Sequence, residues 1–194
     1  MNLLPAFRLA MVGSLALLAS CSSSLDTTRI PMSASSGAAE SSARSSSDMA
    51  DRLERSLNEY RASIGKAPIP RHAGLDAMAR RHCEFMARNR GKFSLGSDNI
   101  SHFGFEERAM LAERRYGLGH CAENVAGGMI PGNIPSELTK AWVGSSKHVY
   151  NLKHDWSATG IGVYVAPDGY VYATQIFGNK VHSEMGMNGR FGIF

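Results

Sequence analysis

Apolar residues recur at helical spacing from residue 48 onward: Met49, Leu53, Leu57, Tyr60 and Ile64 line one face, with charged residues between them and Ser47 or Asp48 available as a cap. Gly65 and then Pro68-Ile69-Pro70 end this predicted helix. A second helix is predicted over 74–90, with Leu75, Met78, Ala79, His82, Cys83 and Met86 on one face and Gly91 as its stop. Residues 96–101 read as loop, and 103–116 as a third, shorter helix. Gly117-Leu118-Gly119 breaks it, and a loop is expected through Gly127-Gly128 and Pro131 to Pro135. Residues 136–146 suit a fourth helix whose apolar face carries Leu138, Ala141 and Trp142. Then the period drops from 3.6 to 2. Ile161, Val163 and Val165 alternate along one run, and Tyr170, Tyr172 and Thr174 along the next, with Pro167-Asp168-Gly169 between them. Proline presets one turn residue and glycine supplies positive φ, so a β-hairpin is predicted. Helices first and an antiparallel hairpin last imply an α+β domain over 48–180, helices packed on a small sheet. Trp142, Trp156 and the helical methionines are read as core.

The first 47 residues carry no such pattern. Arg8 precedes an apolar run over 9–19, broken only by Gly13 and Ser14. A spanning helix needs roughly 20 apolar residues, so residues 1–20 read as a secretory signal instead. The run ends in Leu18-Ala19-Ser20-Cys21, which resembles the bacterial lipobox, where the thiol receives a diacylglyceryl group. That resemblance implies a membrane anchor on Cys21, and Ser22 after it favours the outer membrane. The following stretch is dominated by Ser, Ala and Gly and has few large side chains to bury, so 21–47 is expected to be an acylated cysteine followed by a flexible tether. Residues 181–194 read as a C-terminal tail.

The net charge of +4 comes from scattered Lys and Arg. The densest group, Arg80, Arg81, Arg88, Arg90 and Lys92, is interleaved with core positions on the second helix. It lacks the basic stripe and base-stacking aromatics of a nucleic-acid surface, and no nucleic-acid partner is expected. With Cys21 acylated, Cys83 and Cys121 remain. Outside the cytoplasm a Cys83–Cys121 disulfide is the simplest reading, and closing that loop stabilises by about 4 kcal/mol in the chain-entropy model. Two free buried thiols are the second reading. The doublets His82-Cys83 and His120-Cys121 also offer a Cys2His2 zinc set, but adjacent helical residues point about 100° apart.

Five segments in order resemble the CAP superfamily: the cysteine-rich secretory, antigen 5 and pathogenesis-related 1 proteins and their bacterial SCP-like relatives. They are Leu57-Asn58-Glu59-Tyr60-Arg61 through Pro68-Ile69; Ser101-His102 with Glu123-Asn124-Val125-Ala126-x-Gly128; Trp142 with Ser145-Ser146-Lys147-His148-Val149-Tyr150-Asn151-Leu152; Gly160-Ile161-Gly162-Val163; and Tyr172-Ala173-Thr174-Gln175-Ile176-Phe177. The resemblance implies a CAP-type α-β-α sandwich with a cleft. It also implies that His102, Glu123 and His148 line that cleft, either as a hydrogen-bond network that shapes it or as ligands of a divalent ion, zinc or another. Two departures stand out. Ser145 occupies the place of a glutamate found in eukaryotic members, and Tyr172 the place of a histidine.

Two neutral imidazoles and one carboxylate are the ligand count of a hydrolytic zinc site. No HExxH, GxSxG or paired nucleophile and base accompanies them. The expected function is therefore a non-enzymatic, membrane-anchored envelope module that binds a lipid, a small apolar ligand or an envelope partner. The alternative is a metal-assisted hydrolase of peptide or cell-wall material using His102, Glu123 and His148. A third reading is a structural or adhesive envelope component whose cleft is vestigial.

Overall fold

The computed structural model describes residues 33–92 and 100–181. The expected signal, Cys21 and residues 182–194 of the tail lie outside the described residues. Eight elements follow in order: α1 (Ser33–Ser63), α2 (Ala73–Arg88), α3 (Phe105–Tyr116), β1 (Leu118–Met129), α4 (Ile134–Gly144), α5 (Ser146–Lys153), β2 (Ala158–Val165) and β3 (Tyr170–Lys180). Among them no helix is long and apolar enough to cross a membrane.

The strands form one antiparallel sheet in the order β1-β3-β2. The predicted hairpin is present: Gly169 adopts φ 85° and donates to the Ala166 carbonyl, closing the turn between β2 and β3. Side chains on β3 alternate between the two faces, as the two-residue period requires. Val171, Ala173 and Phe177 enter a core with Leu53 and Leu57 of α1, Leu138 and Trp142 of α4, and Leu152 of α5. Tyr170, Tyr172 and Ile176 face the opposite way, toward α2 and α3. Helices therefore cover both faces, giving three layers, α-β-α.

Three expectations are corrected. First, the segment over 117–135 is not a loop but largely the edge strand β1, paired along β3 from Leu118↔Lys180 to Met129↔Tyr170. Its polar and glycine-rich sequence hides a strand stabilised by its neighbour. Gly127 shows why glycine is needed there, since a Cβ would sit 2.6 Å from the Val171 carbonyl oxygen. Second, α1 begins at Ser33, so the helix takes in 33–47 of the expected tether. Ala, Glu and Arg are good helix formers, Ser a middling one, and no proline interrupts them. Third, the expected fourth helix ends two residues early. Ser145 is extended (φ −98°, ψ 121°), and a separate helix, α5, carries the His148 stretch.

The Cys83–Cys121 disulfide is absent, and both cysteines are free thiols. Cys83 lies wholly buried under α2, its Sγ 3.3 Å from Thr174 Oγ1. Cys121 pairs in register with Gly178. Thr174 and Gly178 are four residues apart on β3, about 13 Å of strand, well beyond the ~7 Å Cα separation that a disulfide tolerates. Burial pushes the Cys83 thiol up to about 12, so it is inert as a nucleophile or ligand. The Cys2His2 set is likewise not assembled: His82 and Cys83 point to different partners, the Ser101 carbonyl and Thr174.

Candidate functional site

Glu123 and Asn124 are neighbours on β1, so their side chains leave the sheet on opposite faces. Asn124 is fully buried on the α4–α5 side. Its Nδ2 donates to the His148 carbonyl (3.2 Å), and its Oδ1 accepts from Asn151 Nδ2 (2.8 Å). Asn151 in turn accepts through its carbonyl from Trp156 Nε1 at 2.9 Å. This chain of bonds holds α5 against the sheet edge.

Glu123 points into the α2–α3 side, and its side chain is 1% exposed. A carboxylate buried to that degree needs a cation and several donors. Arg108, on α3, supplies both. Its Nε donates to Oε2 at 2.8 Å and its Nη2 to Oε1 at 2.9 Å, the bidentate geometry that matches a planar guanidinium to a carboxylate. The remaining arm, Nη1, donates to the Phe103 carbonyl at 2.9 Å and ties down the entry to α3. Gly104 begins that entry in the left-handed region, with φ 73°.

Two histidines complete the cluster. His102 Nδ1 donates to Glu123 Oε1 at 2.9 Å, which leaves Nε2 on the open side; the ring is half exposed. His82, from the apolar face of α2, is 1% exposed. Its Nε2 donates to the Ser101 carbonyl (2.7 Å) and lies 4.0 Å from Glu123 Oε1. Burial lowers the His82 pKa, and the charges of Arg108 and His102 lower it further, while Glu123 and the Ser101 carbonyl oppose them. His82 is therefore neutral at pH 7.

The structure thus brings His102 and Glu123 into contact. His148 approaches from α5, in the other helical layer. It is close enough that burial, then His102 and Lys147, hold its pKa below the usual imidazole range. Its Nδ1 is buried without a hydrogen-bond partner among the described residues, and no bond joins its ring to Glu123. Sequence reasoning missed two members, His82 and Arg108. His82 sat on a helical core face and read as core. Arg108 is one of several arginines in a charged helix, and no local pattern distinguishes it.

These residues do not fit a divalent ion. Both oxygens of the only carboxylate in the cluster are occupied by a permanent cation. A dication about 4 Å from that guanidinium is repelled by about 8 kcal/mol at an effective dielectric near 20. Among the described residues no group of three His, Cys, Asp or Glu is arranged to hold a metal.

Beside this cluster, between α2 and α3, lies a cleft of about 330 Å³. Met78, Phe85, Phe103 and Leu111 make its walls apolar, and Arg81 and Glu107 lie at its border. Phe85 and Phe103 stack with ring centroids 5.6 Å apart, and Phe103 is 61% exposed. His82 and Arg108 line both the cleft and the polar cluster.

No protein-family model and no curated protein sequence matches the chain. Solved structures do. An outer surface protein of Borrelia burgdorferi superposes with a TM-score of 0.57 at 17% identity, over 69% of this chain and 94% of that one. A cysteine-rich secretory protein of Staphylococcus aureus gives 0.50 at 20% identity over 70% of this chain. An extracellular protein of Bacillus anthracis containing an SCP domain gives 0.51 at 20% identity over 70%. The chain spans only 39% and 41% of the latter two. With its three-layer architecture and antiparallel sheet, the chain has the α+β fold of the CAP superfamily.

Proposed function

We propose that this domain is a binding module of the cell envelope rather than a catalyst, and that it takes a small apolar or amphipathic molecule, such as an acyl chain of an envelope lipid, between α2 and α3. The observation that carries this reading is the apolar cleft of about 330 Å³ beside a polar cluster whose carboxylate is already neutralised. Ligand sites are typically concave, mostly apolar and edged by a few polar groups, with volumes from about 300 Å³ upward. A carboxylate held in a bidentate ion pair is a poor general base, which argues against hydrolysis. The outer-surface and extracellular relatives support an envelope location. Acylation of Cys21 then places the module on a membrane, with the outer membrane favoured by Ser22.

The test is to incubate the purified domain with extracted envelope lipids, repurify it and identify what is retained by mass spectrometry. Retention of one lipid class, lost when Phe103 and Leu111 are changed to Asp, supports the reading. Nothing retained across lipid classes overturns it. Metabolic labelling with a fatty acid, lost in Cys21→Ser, tests the anchor. The hydrolytic alternative through His102, Glu123 and His148 is favoured by one contact, the Glu123–His102 bond that presents Nε2 outward. Hydrolysis of peptide or cell-wall material abolished by His102→Ala is the result that would restore it.

A further inference from the structure

We propose that Arg108 is the resident cation of this site: its guanidinium takes the place of a divalent metal ion on Glu123, and removing it converts His82, His102 and Glu123 into a zinc site. The inference concerns the polar cluster alone and stands whether or not the neighbouring cleft binds a lipid.

Every anion buried this deeply needs a counter-charge, and few groups on this chain can supply one. Glu123 leaves β1 into a space bounded by α2, α3 and the segment at Ser101 and His102. The groups facing it are His82, His102 and Arg108. Two of these are imidazoles. Only Arg108 carries a charge that no accessible pH removes. Its fork also matches the carboxylate atom for atom: Nε on Oε2 and Nη2 on Oε1. The third arm reaches the Phe103 carbonyl. One side chain thereby neutralises the acid and fastens the loop that delivers His102, the two tasks a bound ion would perform.

The remaining donors lie near a metal-binding arrangement without reaching one. Donors sharing a tetrahedral zinc at about 2.0–2.1 Å stand roughly 3.3 Å apart. His102 Nδ1 is 2.9 Å and His82 Nε2 is 4.0 Å from the same oxygen, Oε1. That oxygen also receives Arg108 Nη2, so the guanidinium covers the position an ion would need. With the guanidinium gone, Oε1 faces two imidazoles. His82 has only to shift its ring proton and release the Ser101 carbonyl. His102, half exposed, has room to turn. Water completes the coordination on the open side.

This arrangement has an observable consequence in the unaltered protein. A cation built into the chain cannot be lost to chelators, so thermal stability should be unchanged by EDTA and by added zinc. The experiment is zinc titration by calorimetry, with metal content measured after dialysis, on the mature protein and on Arg108→Met. Methionine keeps most of the packing stem of arginine while removing its charge. The expected result is no stoichiometric zinc in the parent protein. The variant should bind about one zinc per chain at least tenfold more tightly, and lose it in Arg108→Met combined with Glu123→Gln. The parent arm needs no variant to fold: one zinc per chain in the parent, lost in His102→Ala, overturns the proposal. So does a folded Arg108→Met protein that binds zinc no better than the parent, or zinc gained there but kept in the double variant.

Discussion

Helix α2 has two flanks that are packed in opposite ways. Against β2 the approach is so close that no side chain fits between the backbones. A Cβ on Gly160 would lie 2.2 Å from the Leu75 carbonyl carbon, and one on Gly162 would lie 2.3 Å from the Arg80 nitrogen. The spacing is in step, because four residues of helix rise about 6 Å and two residues of strand about 6.6 Å. Against α3 the same helix leaves an open cleft of about 330 Å³, joined to α3 and β1 through the polar cluster. The difference teaches which seam fixes the spacing of helix and sheet and which is left open. A close-packed backbone seam tolerates no change of volume, whereas a cleft edged by a satisfied ion pair can be altered without moving the sheet.

The largest expected effect strikes the closed seam. Changing Gly160 and Gly162 together to Ala forces α2 off β2, and overpacking at two backbone contacts should cost about 5 kcal/mol. Urea unfolding should show the loss; a double variant as stable as the parent would break the contrast. Next is Glu123→Ala, which leaves the mostly buried Arg108 guanidinium without its anion, at about 3 kcal/mol. Arg108→Met combined with Glu123→Ala should recover part of that loss in a double-mutant cycle. A smaller effect comes from pH. His82 and His148 have pKa values lowered chiefly by burial, so the folded state keeps them neutral while the unfolded chain binds protons near pH 6.5. Their stabilisation is complete above about pH 6.5 and is lost as pH falls through their lowered folded values. Urea midpoints should drop between pH 7 and pH 5, and His82→Gln should flatten that slope; a midpoint that rises on acidification would contradict it. The smallest effect on stability, within about 1 kcal/mol, is expected for Phe103→Ala on the exposed flank. It should nonetheless weaken retention of a bound apolar ligand, separating the open seam from the closed one.

The sequence made the helices and the hairpin legible because their residues carry strong local periods. Leu53 and Leu57 repeat at helical spacing, and Pro167-Asp168-Gly169 can hardly be other than a turn. Strand β1 was not legible. Gly127 and Gly128 look like loop residues, and their place in the strand comes from pairing with Tyr172 and Val171 of β3, contacts distant in sequence. The disulfide expectation failed for a related reason: chain separation says nothing about which β3 residues lie beside each cysteine. In the polar cluster, the contact of His102 with Glu123 joins two residues that motif order had singled out. Arg108 was not, because what makes it special is a partner fifteen residues away, brought near by the break between α3 and β1. The pairing Glu123-Asn124 now has a physical account, since adjacent strand residues fasten the two helical layers to opposite faces of one edge strand.

Helix α1 carries a mechanical implication. Ala50, Leu53 and Leu57 bury its second half in the core, and Arg61 grips the carbonyls of Leu152 and His154. Its start at Ser33 is about 20 Å of helix away from buried Ser46. A displacement of the buried half of α1 is therefore carried to the core at Leu53 and Leu57 and to the carbonyls that Arg61 holds.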